Sequence, residues 1–137
     1  MNLNSRRIEA LVEMGSHLAN FSSTNKTYTL LQEQVRCAVE YNGWFTQKSI
    51  EETFKCWGIA LSKENITTWL SSFSFLEEKT TKKVALILAG NIPMVGFHDI
   101  ISVWICGHQS LVKCASKDLF LLPYMTNFLE NEASEKG

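Results

Sequence analysis

Residues Val84-Ala-Leu-Ile-Leu-Ala-Gly-Asn-Ile-Pro-Met-Val-Gly96 decide the fold, because the character of the sequence changes there. The apolar run Val84–Ala89 has no helical period, which is typical of a short strand buried on both faces of a parallel sheet. A glycine-containing loop follows, and then an apolar helix pattern over Phe97–Cys106. A second strand over Ser110–Lys113 and a helix over 118–130 complete the order strand, helix, strand, helix. This order predicts a right-handed βαβ unit.

The sequence before this stretch predicts helices joined by short turns, because its apolar positions recur at intervals of three and four. Thr46 and Ser62 are expected to be N-caps of two of these helices, since their hydroxyls can accept backbone N–H groups. Asn42-Gly43 predicts the end of an earlier helix, with the glycine in the left-handed conformation. Trp57 and Trp69 fall on the apolar stripes, so we expect core packing rather than a ligand platform.

The segment Glu77–Lys83 is polar and charged, and it marks a predicted boundary near residue 81. We expect a helical amino-terminal segment over 1–80 and the start of a nucleotide-binding α/β domain over 81–137. Only two strands are predicted, whereas independent sheets generally need three or more strands or extensive helix cover. The fold class is therefore α/β, with a domain that is expected to be incomplete and the chain expected to be a truncation.

Composition excludes several classes of protein. Thirteen Lys and Arg face fourteen Asp and Glu, so the basic surface of a nucleic-acid-binding protein is not expected. The longest apolar run is far too short for a membrane span and the amino terminus does not resemble a signal peptide, which predicts a cytoplasmic protein. The four cysteines lack metal-site spacing, so we expect free buried thiols and no metal.

The candidate functional residues lie where the two strands end. The Asn91 carboxamide could donate a hydrogen bond to an oxyanion on a carbonyl or thioester, or it could merely cap the turn. The Lys113 ammonium could contact a ribose or phosphate group, or it could be a solvated lysine. His98 and Asp99 are expected to stabilise a helix start rather than to act in acid–base catalysis. Cys114 has no His base beside it in sequence, so a structural role is favoured over nucleophilic catalysis.

The stretch Val84–Leu122 resembles the acyl-CoA reductase family, which is similar in fold to aldehyde dehydrogenases. The resemblance rests on five short motifs in the family's order and spacing: Ala89-Gly-Asn-Ile-Pro93, Gly96-Phe-His-Asp99, Gly107-His108, Val112-Lys113 and Ser116-Lys-Asp118. The segments Asn42–Thr46 and Leu61–Ile66 also look like the family's amino-terminal helical part. The resemblance therefore implies an amino-terminal helical segment followed by the first βαβα unit of an aldehyde-dehydrogenase-like Rossmann domain.

The resemblance also implies a role for each candidate site residue. Asn91 becomes the oxyanion donor, and Lys113 with Ser116 holds the ribose or 2'-phosphate of NADP. Three residues would line the nicotinamide side of the cofactor: Leu88, Ala89 and Gly90. Two departures from the wider superfamily bear on these roles. Cys114 and Ala115 replace its usual Lys-Pro-Ser spacing, and the absence of an acidic residue directly after Ser116 weakens any expected preference for NAD.

The implied reaction converts an acyl thioester to an aldehyde through a cysteine thioester, with hydride from NADPH. The substrate would be an acyl-CoA or an acyl-protein thioester, and a homo-oligomer is compatible with the resemblance. The catalytic cysteine is expected outside residues 1–137, so the chain alone is not expected to complete a turnover. The alternative is a non-catalytic small α/β or helical module that binds other proteins.

Overall fold

A computed structural model describes residues 3–74 and 80–135, with side chains described from residue 5 to residue 134. These residues form a mixed α/β structure that is mostly helical, with two strands paired in parallel. Lys83 pairs with Gln109 and Ile87 pairs with Lys113. The elements in chain order are α1 (Leu3–Ala19), a 3-10 turn (Lys26–Tyr28), α2 (Thr29–Tyr41), α3 (Gln47–Ala60), α4 (Lys63–Ser71), β1 (Lys83–Ile87), α5 (Phe97–Ile105), β2 (Gln109–Lys113) and α6 (Leu121–Glu135).

Two predicted helix starts are confirmed. The Thr46 hydroxyl accepts a hydrogen bond from the Ser49 backbone N–H at 3.0 Å, and the Ser49 hydroxyl accepts one from the Thr46 N–H at 3.0 Å. This reciprocal pair satisfies two backbone donors at the start of α3. The Ser62 hydroxyl accepts the Asn65 N–H at 3.2 Å and begins α4 in the same way.

The predicted end of α2 is right in position and wrong in mechanism. The helix ends at Tyr41, and Asn42 follows in an extended conformation with φ −122°. Gly43 does not adopt positive φ, whereas Gly107 does so after α5, with φ 86°. The reason is that hydrogen bonds of the buried Asn42 side chain stabilise the extended conformation in which the chain continues after the helix. No left-handed residue is therefore needed to end α2.

The predicted burial of the first strand on both faces is wrong. Residues along β1 alternate between exposed and half-buried, and Ile87 at its end is 85% exposed. Leu111 in β2 is 58% exposed. Helix α5 packs against both strands. A parallel sheet is buried on both faces only when layers cover both of them, and two strands alone do not supply such a layer. β1 also ends at Ile87, so Ala89 belongs to the loop.

Helix α6 packs against α1 and α2, and α1 packs against α3 as well. The predicted helix over 118–130 therefore exists but begins at Leu121, with Pro123 in its first turn, where a missing N–H is tolerated. His17 of α1 and Tyr124 of α6 form a hydrogen bond of 2.8 Å between Nε2 and the hydroxyl. The division of the chain near residue 81 stays a prediction.

The two tryptophans of the predicted stripes pack against the core, as expected. Trp57 is partly buried, and its ring meets the Phe97 ring edge to face with centroids 4.9 Å apart. Trp69 is also partly buried, with its ring 5.9 Å from that of His98. Trp57 thereby connects α3 to the first residue of α5.

The four cysteines are free thiols, but the expectation that they are buried is wrong. Cys56 is exposed, because it lies on the outer face of α3, and the other three are half-buried. Within residues 3–74 and 80–135, no cluster of His, Cys, Asp and Glu side chains has the geometry to hold a metal ion. None of the helices in these ranges combines the length and apolar character that a membrane crossing requires.

Candidate functional site at the strand ends

The carboxyl ends of β1 and β2 lie at the same edge of the sheet, because the strands are parallel. The Leu88 N–H donates to the Lys113 carbonyl at 3.1 Å, so the pairing continues one step beyond β1. Further on, a Cβ placed on Gly90 would lie 2.6 Å from the Ala115 Cβ. The loop over 88–96 therefore contacts the loop over 114–120 directly, and we call these two loops together the strand-end junction.

A buried carboxylate fastens the two loops of the strand-end junction to each other. Asp118 Oδ2 accepts a hydrogen bond of 2.8 Å from the Met94 N–H. Met94 has φ 59°, which lies in the left-handed region that non-glycine residues rarely adopt. Asp118 Oδ1 is buried and has no hydrogen-bond partner within the parts of the chain that the structure describes. Burial raises the pKa of Asp118, and the Met94 hydrogen bond opposes this rise in part.

Asn42 anchors the same junction to the end of α2. Its Nδ2 donates to the Lys117 carbonyl at 3.0 Å, and its Oδ1 accepts the Trp44 N–H at 3.0 Å. The side chain is buried, so these hydrogen bonds are shielded from water. The loop over 114–120 is thus held from two sides, by Asn42 and through Asp118.

Four of the six candidate residues are exposed at this edge: Ala89, Asn91, Lys113 and Ser116. Asn91 follows Gly90 and Ser116 follows Ala115, so the Gly90–Ala115 contact brings their backbones to the same place. Among the described residues, the side chains of Asn91, Lys113 and Ser116 make no hydrogen bond or ion pair. The alternative role of Asn91 as a side-chain cap of the turn therefore has no hydrogen bond to support it, and three polar groups are available to a ligand.

The other two candidate residues, Leu88 and Gly90, are buried. A Cβ on Gly96 would lie 2.6 Å from Leu88 Cδ1, so the Leu88 side chain packs beneath the start of α5. Only the backbone of these two residues could face a cofactor, and their roles toward nicotinamide stay predictions. Their close packing brings the first turn of α5 near the end of β1, and the Phe97 N–H of that turn donates to the Met94 carbonyl at 3.0 Å.

The Cys114 thiol at the junction is a poor candidate nucleophile. Burial raises the pKa of the Cys114 thiol, and the Asp118 carboxylate raises it further. Because the thiolate is the nucleophilic form, this environment favours the structural role expected for Cys114. The N-cap of α5 is Gly96, which has no side chain to cap the helix. Asp99 lies in the first turn of α5, where the helix dipole favours a carboxylate.

Sequence reasoning missed the positioning roles of Asp118 and Asn42. Asp118 was expected to begin the last helix, and Asn42 was expected only to precede a helix stop. Both are polar residues next to predicted chain reversals, which is a weak signal because such residues are common in turns. What distinguishes them is burial, at 1% and 6% exposure respectively, and burial depends on the tertiary contacts.

Over residues 3–74 and 80–135, the fold and the site are those of a mixed α/β protein with a two-stranded parallel sheet, whose connected strand-end loops carry polar side chains that have no hydrogen-bond partner in these ranges. Comparison of the chain with protein-family models, curated proteins and solved structures found no match.

Proposed function

We propose that the chain forms the cofactor-binding, oxyanion-stabilising part of an NADPH-dependent acyl-thioester reductase of the aldehyde dehydrogenase type. The observation that carries the proposal is the strand-end junction, which presents Asn91, Lys113 and Ser116 at one edge of a parallel sheet, with no partner for their side chains in the part of the chain that the structure describes. Ligands of open α/β sheets bind at this edge. The family resemblance of Val84–Leu122 supplies the choice of reaction.

In this proposal Lys113 and Ser116 contact the adenosine ribose and its 2'-phosphate. An ammonium and a hydroxyl together can form charge-assisted hydrogen bonds to a phosphate, and no carboxylate directly after Ser116 opposes that charge. The sheet and helices α5 and α6 are then the first βαβα unit of a Rossmann domain. Preference for NADPH over NADH follows from the same contacts.

Asn91 in this proposal stabilises negative charge on the substrate carbonyl. Its carboxamide is exposed and has no hydrogen-bond partner among the residues described, so it can donate to an oxyanion without first breaking another bond. The bound cofactor would supply the hydride that reduces a cysteine-linked acyl group to an aldehyde. That cysteine lies outside residues 1–137, and the raised pKa of Cys114 is consistent with this assignment.

The substrate is an acyl-CoA or acyl-protein thioester, and the proposal places the reaction in the cytoplasm, within a homo-oligomer. Asn42 and Asp118 act as positioning residues, because they hold the loop that carries Ser116.

Calorimetric titration of the chain with NADPH, and in parallel with NADH, tests the proposal. Lys113→Ala should weaken NADPH binding about ten- to a hundredfold, since a hydrogen bond to a charged group contributes roughly 1.5–3 kcal/mol. NADH binding should change less, because NADH lacks the 2'-phosphate. Lys83→Ala is the matched control, since Lys83 is an exposed lysine at the opposite end of the same sheet.

Equal losses in the two lysine variants would contradict the placement of the cofactor. Absence of NADPH binding to a folded chain would instead favour a non-catalytic module that binds other proteins. One observation supports that second candidate: Trp44 and Ile87 are 83% and 85% exposed, and exposed apolar side chains are common at protein interfaces.

A further inference from the structure

A groove runs between α1, α5, β2 and α6 and reaches Cys114, the first residue of the loop over 114–120. Its volume is about 790 Å³, which falls within the roughly 300–1,000 Å³ typical of small-molecule sites. Residues from all four elements line it, among them Arg6, Trp104, Leu111 and Glu130. None of the six candidate residues at the strand ends does so.

Arg6 is the arginine of this groove whose hydrogen bonding is incomplete among the described residues. Arg6 Nε is buried and makes no hydrogen bond to any residue in the ranges 3–74 and 80–135. A buried N–H of a charged group without an acceptor is costly, so such groups are normally paired. An anion bound in the groove would supply the missing acceptor.

The neighbouring arginine is already engaged. The Arg7 guanidinium donates to the Trp104 carbonyl, and its central carbon lies 5.1 Å from the centre of the Trp104 ring. The negative charge of the Glu130 carboxylate attracts the positive charge of the Arg7 guanidinium. Among the described residues that line the groove, two guanidinium groups thus accompany one carboxylate, that of Glu130.

The rest of the groove is lined by both polar and apolar residues, and His108, Gln109 and Ser110 are among the polar ones. Its apolar lining comes from α5, β2 and α6, namely Ile100, Leu111, Val112, Leu122, Leu129 and Ala133. Leu111 and Val112 are exposed although they belong to the sheet, so a ligand on them would cover apolar surface that faces water in the free chain. An anion without an apolar body would leave this surface uncovered.

We propose that the groove binds a small apolar monocarboxylate, with its carboxylate on Arg6 and its apolar body against Leu111 and Leu129. Arginine suits this role because its planar fork matches the two oxygens of a carboxylate. The inference does not rest on the proposed reductase function, since none of the six candidate residues of that site lines the groove.

Calorimetric titration with decanoate, below its micelle concentration, tests the inference. We expect saturable binding of one decanoate per chain, and at least tenfold weaker binding of acetate and of decanol. Arg6→Gln should weaken decanoate binding at least tenfold. Arg36→Gln is the control, because Arg36 is an exposed arginine of α2 outside the groove.

A second variant keeps the test decisive if Arg6→Gln unfolds. Ala133→Trp fills the apolar part of the groove without changing its charge, and it should abolish decanoate binding while the far-ultraviolet circular dichroism stays that of the wild type. Unchanged decanoate affinity in either folded variant, or equal affinities for decanoate and decanol, would overturn the inference. A chain that binds NADPH but not decanoate refutes this inference alone, and the reverse result refutes the proposed reductase alone.

Discussion

Asp118 is the residue on which the strand-end junction depends most. Its carboxylate accepts a hydrogen bond from the one non-glycine residue with positive φ in the described parts of the chain, Met94. It also carries an oxygen, Oδ1, that is buried without a partner there, so the ionised form is stabilised by fewer hydrogen bonds than in water. The raised pKa of Asp118 follows from this environment.

We expect the stability contribution of Asp118 to fall as pH rises. Because its pKa is raised in the folded chain, the folded state binds this proton more tightly than the unfolded state. The contribution should be complete below the ordinary value of 3.8 and lost as pH rises through the raised value. Urea denaturation between about pH 3 and pH 7 should show this loss as the difference between wild type and Asp118→Asn, whose amide oxygen can still accept the Met94 N–H.

Two further variants separate charge from hydrogen bonding at this position. Asp118→Ala removes the acceptor and should lower the free energy of unfolding at neutral pH by about 1–3 kcal/mol relative to Asp118→Asn. Glu52→Gln, at an exposed residue in the interior of α3, is the control and should leave the difference between wild type and Asp118→Asn in place. A wild-type pH dependence that persists in Asp118→Asn would show that other groups cause it.

At the scale of elements, the fit between two loops positions the candidate site. Gly90 leaves no room for a side chain, because a Cβ there would lie 2.6 Å from the Ala115 Cβ and 3.4 Å from the Lys117 Cβ. Glycine is therefore required at 90 by close approach of the loops, while its φ lies outside the left-handed region.

Exchanging the two residues should restore the fit. Gly90→Ala alone should destabilise the chain by about 1–3 kcal/mol through overpacking against Ala115. Adding Ala115→Gly removes the closest contact, so the double variant should recover most of that loss. Equilibrium denaturation of the two single variants and the double variant measures the coupling. Strictly additive effects would mean that the loops do not contact each other in solution.

The elements differ in how well sequence predicts them. The starts of α3 and α4 were predictable from Thr46 and Ser62, because a cap depends on residues within one helical turn. The strands and their order were also predictable. The exposure of Ile87 was not predictable, because the same apolar run would be expected in a strand of a sheet that further layers cover. The contact of α6 with α1 was not predictable either, since it joins residues 107 apart in the chain, such as His17 and Tyr124.

For the candidate site, the sequence indicated the exposed polar residues but not what holds them. Lys113 and Asn91 follow apolar runs, so their place at the strand ends could be predicted. The contacts of Asn42 with Lys117 depend on how α2 and the loop over 114–120 meet, across 75 residues of chain. No local pattern encodes such a contact.

At the scale of the whole molecule, the sheet leaves apolar side chains in contact with water. Ile87 is 85% exposed at the end of β1, and a two-stranded sheet has two unpaired edges. Exposed strands of this kind are sites of association between chains.

We expect the chain to associate with itself through the sheet in a concentration-dependent way. Ile87→Lys should raise the concentration needed for association at least tenfold, because burying an isoleucine contributes roughly 1.5–3 kcal/mol. Sedimentation velocity over a range of concentrations measures this change. Leu30→Lys is the control, since Leu30 is 74% exposed on α2, away from the sheet. Equal effects of both variants would indicate non-specific association.

The pairing of α1 with α6 has a consequence for synthesis on the ribosome. His17 is translated 107 residues before Tyr124, so the surface of α1 that α6 covers has no native contact with α6 until the first turn of that helix has been made. At typical elongation rates of 5–20 residues per second, this interval lasts roughly 5 to 20 seconds. During that time the nascent chain presents an apolar helical surface to molecular chaperones, and completion of α6 ends this exposure.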